Sequence, residues 1–173
     1  MTRIKWIIVI TILVAVDQFS KWLVETSLPL YSQIDLLPIL SLYRTYNEGV
    51  AFSALTGLGP WLLVLLTTGI ILFVLWLWRG VAADRLLSGA GFCLILAGAI
   101  GNLIDRVRIG KVIDMIYFHI DQVGFKFAIF NLADTFITLG AAAIILDEFH
   151  TWKSSRQKTS DEPEQDTGKT KNE

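Results

Sequence analysis

Residues 61–78 read WLLVLLTTGIILFVLWLW, a run without a single charged side chain. A bilayer's hydrocarbon core asks for roughly 20 mostly apolar residues in helical form, so this stretch reads as a membrane span. Working outward, three more stretches qualify: Ile4–Val24, Leu86–Ile104 and Ala128–Leu146. Arg3 and Lys5 before the first span give it the look of a cleaved leader. No small-x-small cleavage pattern follows, and apolar character resumes at Trp22–Val24, so it reads as a retained span. The expected architecture is an α-helical membrane protein, a four-helix transmembrane bundle.

Composition agrees. Of 173 residues, 53% are hydrophobic and only 18% charged, against about 25% charged in ordinary soluble domains. A net charge of −1 leaves no electrostatic footprint for nucleic acid. The lone Cys93 excludes an internal disulfide and any multi-cysteine metal site, and its apolar setting marks it as a packing residue.

Basic residues orient the chain. With both termini inside, Arg3, Lys5, Arg79, Arg85, Lys153, Arg156 and Lys158 face the cytoplasm, and Arg44, Arg106, Arg108, Lys111 and Lys126 lie outside. Trp6, Trp76, Trp78 and Trp152 fit an inner aromatic belt. The inner loop around Gly80–Asp84 is short, whereas the outer segments, 25–60 and 105–127, are long and strand-like. Residues 40–46 alternate as a half-buried strand. Lys111–Ile120, the turn Asp121–Gly124 and the run Phe125–Phe130 suggest a hairpin. A small strand-containing subdomain is therefore expected at the outer leaflet. Residues 1–150 form the membrane domain, and the polar segment 151–173 reads as a disordered cytoplasmic tail.

Ionisable groups inside a span are expensive and ask for a reason. Asp17 and Lys21 share one face of the first span, with Asp17 roughly 20 Å from Ile4 at about 1.5 Å per residue. Asn102, Asp105 and Arg106 close the outer end of the third span. Asn131 and Asp134 open the fourth, and Asp114 sits in the hairpin between. All fall near one depth. Plainer roles exist: Asp17–Lys21 as a neutralising pair, Asn102 as interhelical glue, Asp105 and Arg106 as a helix end in the headgroups, and Asp114 as a solvated loop residue. Asp134 is hardest to explain so, because a short carboxylate one turn inside a span cannot snorkel far. His119 and His150 lie at opposite faces and read as interfacial surface.

The sequence carries no HExxH, phosphate loop or His/Cys ligand cluster, and adjacent helical residues such as Ser20 and Lys21 point apart. What remains is a pair of carboxylates in a low-dielectric setting. One keeps its proton and can donate to a carbonyl, and the other can take a proton from water, which is aspartic peptidase chemistry.

Five segments then match a known pattern: Asp17-Gln18-Phe19-Ser20-Lys21, Asn47-Glu48-Gly49-Val50-Ala51-Phe52, Gly101-Asn102-Leu103-Ile104-Asp105-Arg106, Val112-Ile113-Asp114-Met115 and Phe130-Asn131-Leu132-Ala133-Asp134. In this order on four spans, they make the chain resemble the bacterial lipoprotein signal peptidases, the type II signal peptidases. The resemblance implies an aspartic endopeptidase of the bacterial inner membrane, with its site near the outer face. It would remove the signal peptide from prolipoproteins by cutting before a cysteine that carries a diacylglyceryl group. It makes Asp114 and Asp134 the catalytic pair, with Asp17, Lys21, Asn47, Asn102, Arg106 and Asn131 around them or on substrate, and needs neither metal nor organic cofactor. Met115 stands where the family commonly has Phe, and Val50 where Ala is common.

Gly49 relaxes the backbone of segment 25–60, which with Tyr43, Tyr46 and Phe52 is expected to act as a mobile clamp over the site. Ala97, Gly98 and Gly101 would let a second helix approach the third span closely. The alternative is a small four-span proton-coupled transporter, which shares a buried carboxylate but has short loops and a mid-membrane acid. A scaffold subunit would leave Asp134 unexplained.

Overall fold

A computed structural model describes residues 3–49 and 60–161. Four helices run α1 (Arg3–Ser27), α2 (Pro60–Arg79), α3 (Leu86–Ile109) and α4 (Leu132–Asp161). Between them lie strands β1 (Gln33–Leu37), β2 (Leu40–Asn47), β3 (Val112–Ile120) and β4 (Phe125–Lys126), which form one antiparallel sheet in the order β1-β2-β3-β4. Among the described residues three helices are long and apolar enough to cross a membrane: Ile4–Ser27, Trp61–Arg79 and Leu86–Ile109. Much of their apolar surface faces outward, as Ile8, Ile12, Leu65, Leu72 and Phe73 do. Exposure on that scale marks a membrane-facing surface.

The fourth expected span, α4, carries Asp134, Asp147 and Glu148 and is not among those three. It nevertheless lies antiparallel to α3 over about 20 Å, from Ala133 beside Gly98 to Asp147 beside Ser88 and Arg85. Small residues permit the approach. A Cβ on Gly98 would strike the Ala133 carbonyl oxygen, and one on Gly140 would meet the Gly91 carbonyl oxygen at 2.6 Å. Asp147 is met by Arg85 at 2.7 Å and by the Ser88 hydroxyl.

Several boundaries differ from the sequence reading. α3 continues past Ile104 to Ile109, where Gly110 turns left-handed (φ 75°) and returns its N–H to the Arg106 carbonyl. α4 starts at Leu132 and not at Ala128, because Phe130 is bridged to Ile116 in the sheet. Its other end continues to Asp161, into the segment expected to be disordered. The Arg156 guanidinium lies 4.4 Å from the Trp152 ring centre, one turn away, and supports the helix there. The rest of that tail, residues 162–173, lies outside the described residues.

The sheet docks on the end of α1. Val24 and Leu28 pack with Met115, Leu42 and Ile116. Arg44 on β2 donates to the carbonyls of Glu25 and Leu28, both at 2.9 Å, and so closes the C-terminal end of α1. β2 pairs with β3 from Leu40↔Phe118 to Asn47↔Val112. Residues 40–47 of the expected clamp are thus held by a strand ladder and are not tethered at the spans alone; its Val50, Ala51 and Phe52 lie outside the described residues.

His119 is not interfacial surface. It is 5% exposed, with Nε2 at 2.7 Å from Ser41 Oγ and Nδ1 at 3.1 Å from Asp121. This row looks like a nucleophilic triad, yet Ser41 is wholly buried and its hydroxyl donates to Asp35 at 2.7 Å. No substrate can reach it, so the row ties β1, β2 and β3 together.

Candidate active site

The β2–β3 register and the start of α4 bring two carboxylates to one end of the bundle. Asp114 sits on β3 opposite Thr45, 2% exposed. Its Oδ2 accepts from Asn47 Nδ2 at 3.0 Å and its Oδ1 from Asn131 Nδ2 at 2.7 Å. Asn47 cannot turn its amide over freely, because its Oδ1 accepts the Gly49 N–H at 2.8 Å. Gly49 has φ 79°, a left-handed conformation that suits glycine.

Asn131 is the N-cap of α4. Its Oδ1 accepts the Asp134 N–H at 2.9 Å, and the Asp134 carboxylate reaches back to the Asn131 N–H at 3.4 Å. This reciprocal pairing is a capping box built from Asn and Asp. It fixes Asp134 in the first turn of α4, where the helix dipole favours a negative charge. Asn102, from α3, donates its Nδ2 to Asp134 Oδ1 at 2.8 Å, and its own Oδ1 accepts from Asn131 Nδ2 at 3.3 Å. The carboxylates are therefore linked through two asparagines whose amides are each oriented by other contacts.

Behind this layer lies a buried ionic cluster. Lys21 is 1% exposed and donates to Asp17 at 2.9 Å, Asp105 at 2.8 Å and Asn102 Oδ1 at 3.0 Å. Asp17 Oδ1 accepts the Ala133 N–H at 3.0 Å, a free donor of the first turn of α4. Gly101 leaves room for that carboxylate, since a Cβ there would strike Asp17 Oδ2. Gln18 Nε2 bridges Asp17, Asp105 and the Gly101 carbonyl.

Burial is the chief reason that Asp114 is lifted from 3.8 to about 6, and the charge of Asp134 adds to it. Hydrogen bonds from Asn47 and Asn131 and the charge of Lys21 pull the other way. A carboxyl that holds its proton toward neutral pH can serve as an acid beside a second carboxyl group.

Seven of the residues singled out in the sequence fall into this one network: Asp17, Lys21, Asn47, Asn102, Asp114, Asn131 and Asp134. Gly49 joins it through its N–H. Arg106 makes no direct ion pair with the carboxylates but lies within the electrostatic reach of Asp134, Asp105 and Asp114, half-buried, with a 3.5 Å hydrogen bond to the Asn102 carbonyl oxygen. Asp105 and Gln18 belong to the cluster but were not among the residues assigned to it. The sequence signal was Asp105 one turn beyond Gly101 at a helix end, which also suits a headgroup charge. Among the described residues no group of His, Cys, Asp and Glu is placed to hold a metal ion.

A membrane-spanning bundle with a paired-carboxylate centre under a small sheet defines an integral-membrane enzyme. Two solved structures, each described as a bacterial membrane enzyme, share the fold at 29% identity. One has a TM-score of 0.73 over 82% of this chain and 90% of that one, and the other 0.74 over 84% and 88%. Residues 9–150 match the family described as Signal peptidase (SPase) II. The lipoprotein signal peptidase of Sinorhizobium fredii is 50% identical over 151 residues, covering 86% of this chain and 90% of the relative. That of Brucella ovis is 49% identical over 148 residues, covering 86% and 91%. The chain belongs to the signal peptidase II family and is a peptidase; the transporter alternative finds no support.

Proposed function

We propose that this protein is an aspartic endopeptidase of the bacterial cytoplasmic membrane that removes signal peptides from prolipoproteins, cutting before a diacylglyceryl-modified cysteine. Asp114 and Asp134 are its catalytic pair. The observation that carries this reading is the hydrogen-bonded row Asp114–Asn131–Asn102–Asp134, which aims two carboxylates at one place. Asp134, at the positive end of α4, is the charged member and takes a proton from the attacking water. Asp114, the more deeply buried, donates its proton to the scissile carbonyl oxygen. The tetrahedral diol then collapses: the C–N bond breaks as the proton held by Asp134 passes to the leaving amine, and a diol hydroxyl returns its proton to Asp114. Neither step calls for a metal or an organic cofactor.

A signal-peptide helix keeps its backbone hydrogen-bonded in the bilayer, so the chain must unwind at the cut. Arg106, half-buried beside Asn102 and without an ion pair among the described residues, is a donor for unwound substrate backbone. Both termini are cytoplasmic and the sheet end faces outward, where the lipid of the substrate lies. Residues 1–150 make up the peptidase unit. Purified protein should cleave a diacylglyceryl-modified precursor and leave the lipid-bearing cysteine as the new N-terminus by mass spectrometry. Equal cleavage of the unmodified precursor would refute the lipid requirement. A cut elsewhere would refute the specificity.

A further inference from the structure

Lys21 has three ammonium hydrogens and three acceptors, and Asp105 supplies the shortest contact, at 2.8 Å. Asp105 is wholly buried at the end of α3. Its Oδ2 also accepts the Ile113 N–H at 3.3 Å, and its Oδ1 accepts Gln18 Nε2 at 3.1 Å. Two of these contacts, to Ile113 and to Lys21, each lead toward one carboxylate of the pair. Ile113 immediately precedes Asp114 on β3, so the bond to its N–H holds the strand one residue before that carboxylate. Lys21 occupies Asn102 Oδ1, which obliges the Asn102 NH₂ to face Asp134. One side chain thus stands behind both.

We propose that Asp105 is a positioning residue for the catalytic pair, holding Asp114 through the Ile113 backbone and Asp134 through Lys21 and Asn102, while its charge sets the field in which the pair shares its proton. The proposal rests on the reading of Asp114 and Asp134 as the pair. Lys21 faces two carboxylates, Asp17 and Asp105, and keeps Asp17 as its partner when Asp105 is neutralised. In D105N the cluster loses one negative charge while Lys21 stays. A net positive change beside two carboxyl groups favours their ionised forms, so activity moves to lower pH. In the double variant D105N/K21M the two changes cancel in charge, but Asn102 loses its anchor.

The test is steady-state cleavage of lipid-modified precursor across pH. D105N should lower kcat by about 10- to 100-fold, since small misplacements of reacting groups cost that much. KM should change little, and the pH–rate profile should move acidward by about one unit. D105N/K21M should return the profile to its original position without restoring kcat. Loss of activity in folded D105N with an unmoved profile would reduce Asp105 to a structural role and overturn the proposal, as would an unchanged kcat. If D105N does not fold, the double variant decides: a depressed kcat with an unshifted profile supports the proposal, and a native kcat overturns it. Failure of the underlying reading looks different, because D114N or D134N would then retain turnover whatever the Asp105 variants do.

Discussion

Asp114 is held by two amide donors and still binds its proton more tightly than an ordinary aspartate, at about 6 against 3.8, because burial outweighs the hydrogen bonds. Between those values the folded protein keeps a proton that the unfolded chain has lost. Asp114 therefore contributes no penalty below about pH 3.8. Stability falls as pH rises toward about 6 and stays lowered above it. Asp114→Asn removes that penalty but also one acceptor, since Asn47 and Asn131 both donate to this side chain. The acceptor loss does not vary with pH. The melting temperature of D114N relative to the native protein should therefore climb between pH 4 and 7 and then level off; a flat difference would mean that burial does not raise this carboxyl. At this scale the sequence was informative where a charge interrupted apolar surroundings, as at Asp17, Asp114 and Asp134. It was silent where a charge stood at a helix end. Nothing local to Asp105 says that its partners are Gln18 and Lys21 on α1, or that it turns inward. His119 misled in the same way, because its partner Ser41, which in turn donates to Asp35, belongs to another hairpin.

Elements fix the site through close packing of α3 against α4. Gly98 faces the Ala133 backbone and Ile137, one turn from Asn102 and Asp134. Gly98→Val would push the helices apart, a type of overpacking that costs about 1–3 kcal/mol. It would also lengthen the 2.8 Å bond between Asn102 and Asp134. Turnover should fall by more than the lost stability explains when both are measured at a temperature where the variant is fully folded. Native turnover in a folded variant would show that this contact does not align the pair. The small-residue spacing around Gly98 was readable because close approach leaves only Gly and Ala as choices. The start of α4 was not, since the capping Asn131 and Asp134 depart from the usual Ser/Thr and Glu pairing, and the apolar run Ala128–Phe130 looks helical until the sheet claims Phe130. β1 escaped notice because all five of its residues are exposed and give no alternation of burial.

Among the described residues, the network and the sheet gather at one end, while the short turn between α2 and α3 and the end of α4 lie at the other. The four helices were legible from hydrophobic run length, and three of them are long and apolar enough to cross a membrane among the described residues. Which end faces outward rests on a modest excess of Lys and Arg, seven against five. In intact cells a cysteine at Ser32 should react with a membrane-impermeant thiol reagent and one at Ser160 should not. The reverse pattern would place the carboxylates on the wrong side of the membrane for a lipid-bearing substrate. The carboxylate pair itself remains the central claim, and turnover of lipid-modified precursor by D114N and by D134N tests it most directly. Each substitution nearly preserves volume and adds no charge. Both purified variants, folded by circular dichroism and thermal unfolding, should show no cleavage above background, and substantial turnover by either would contradict the account.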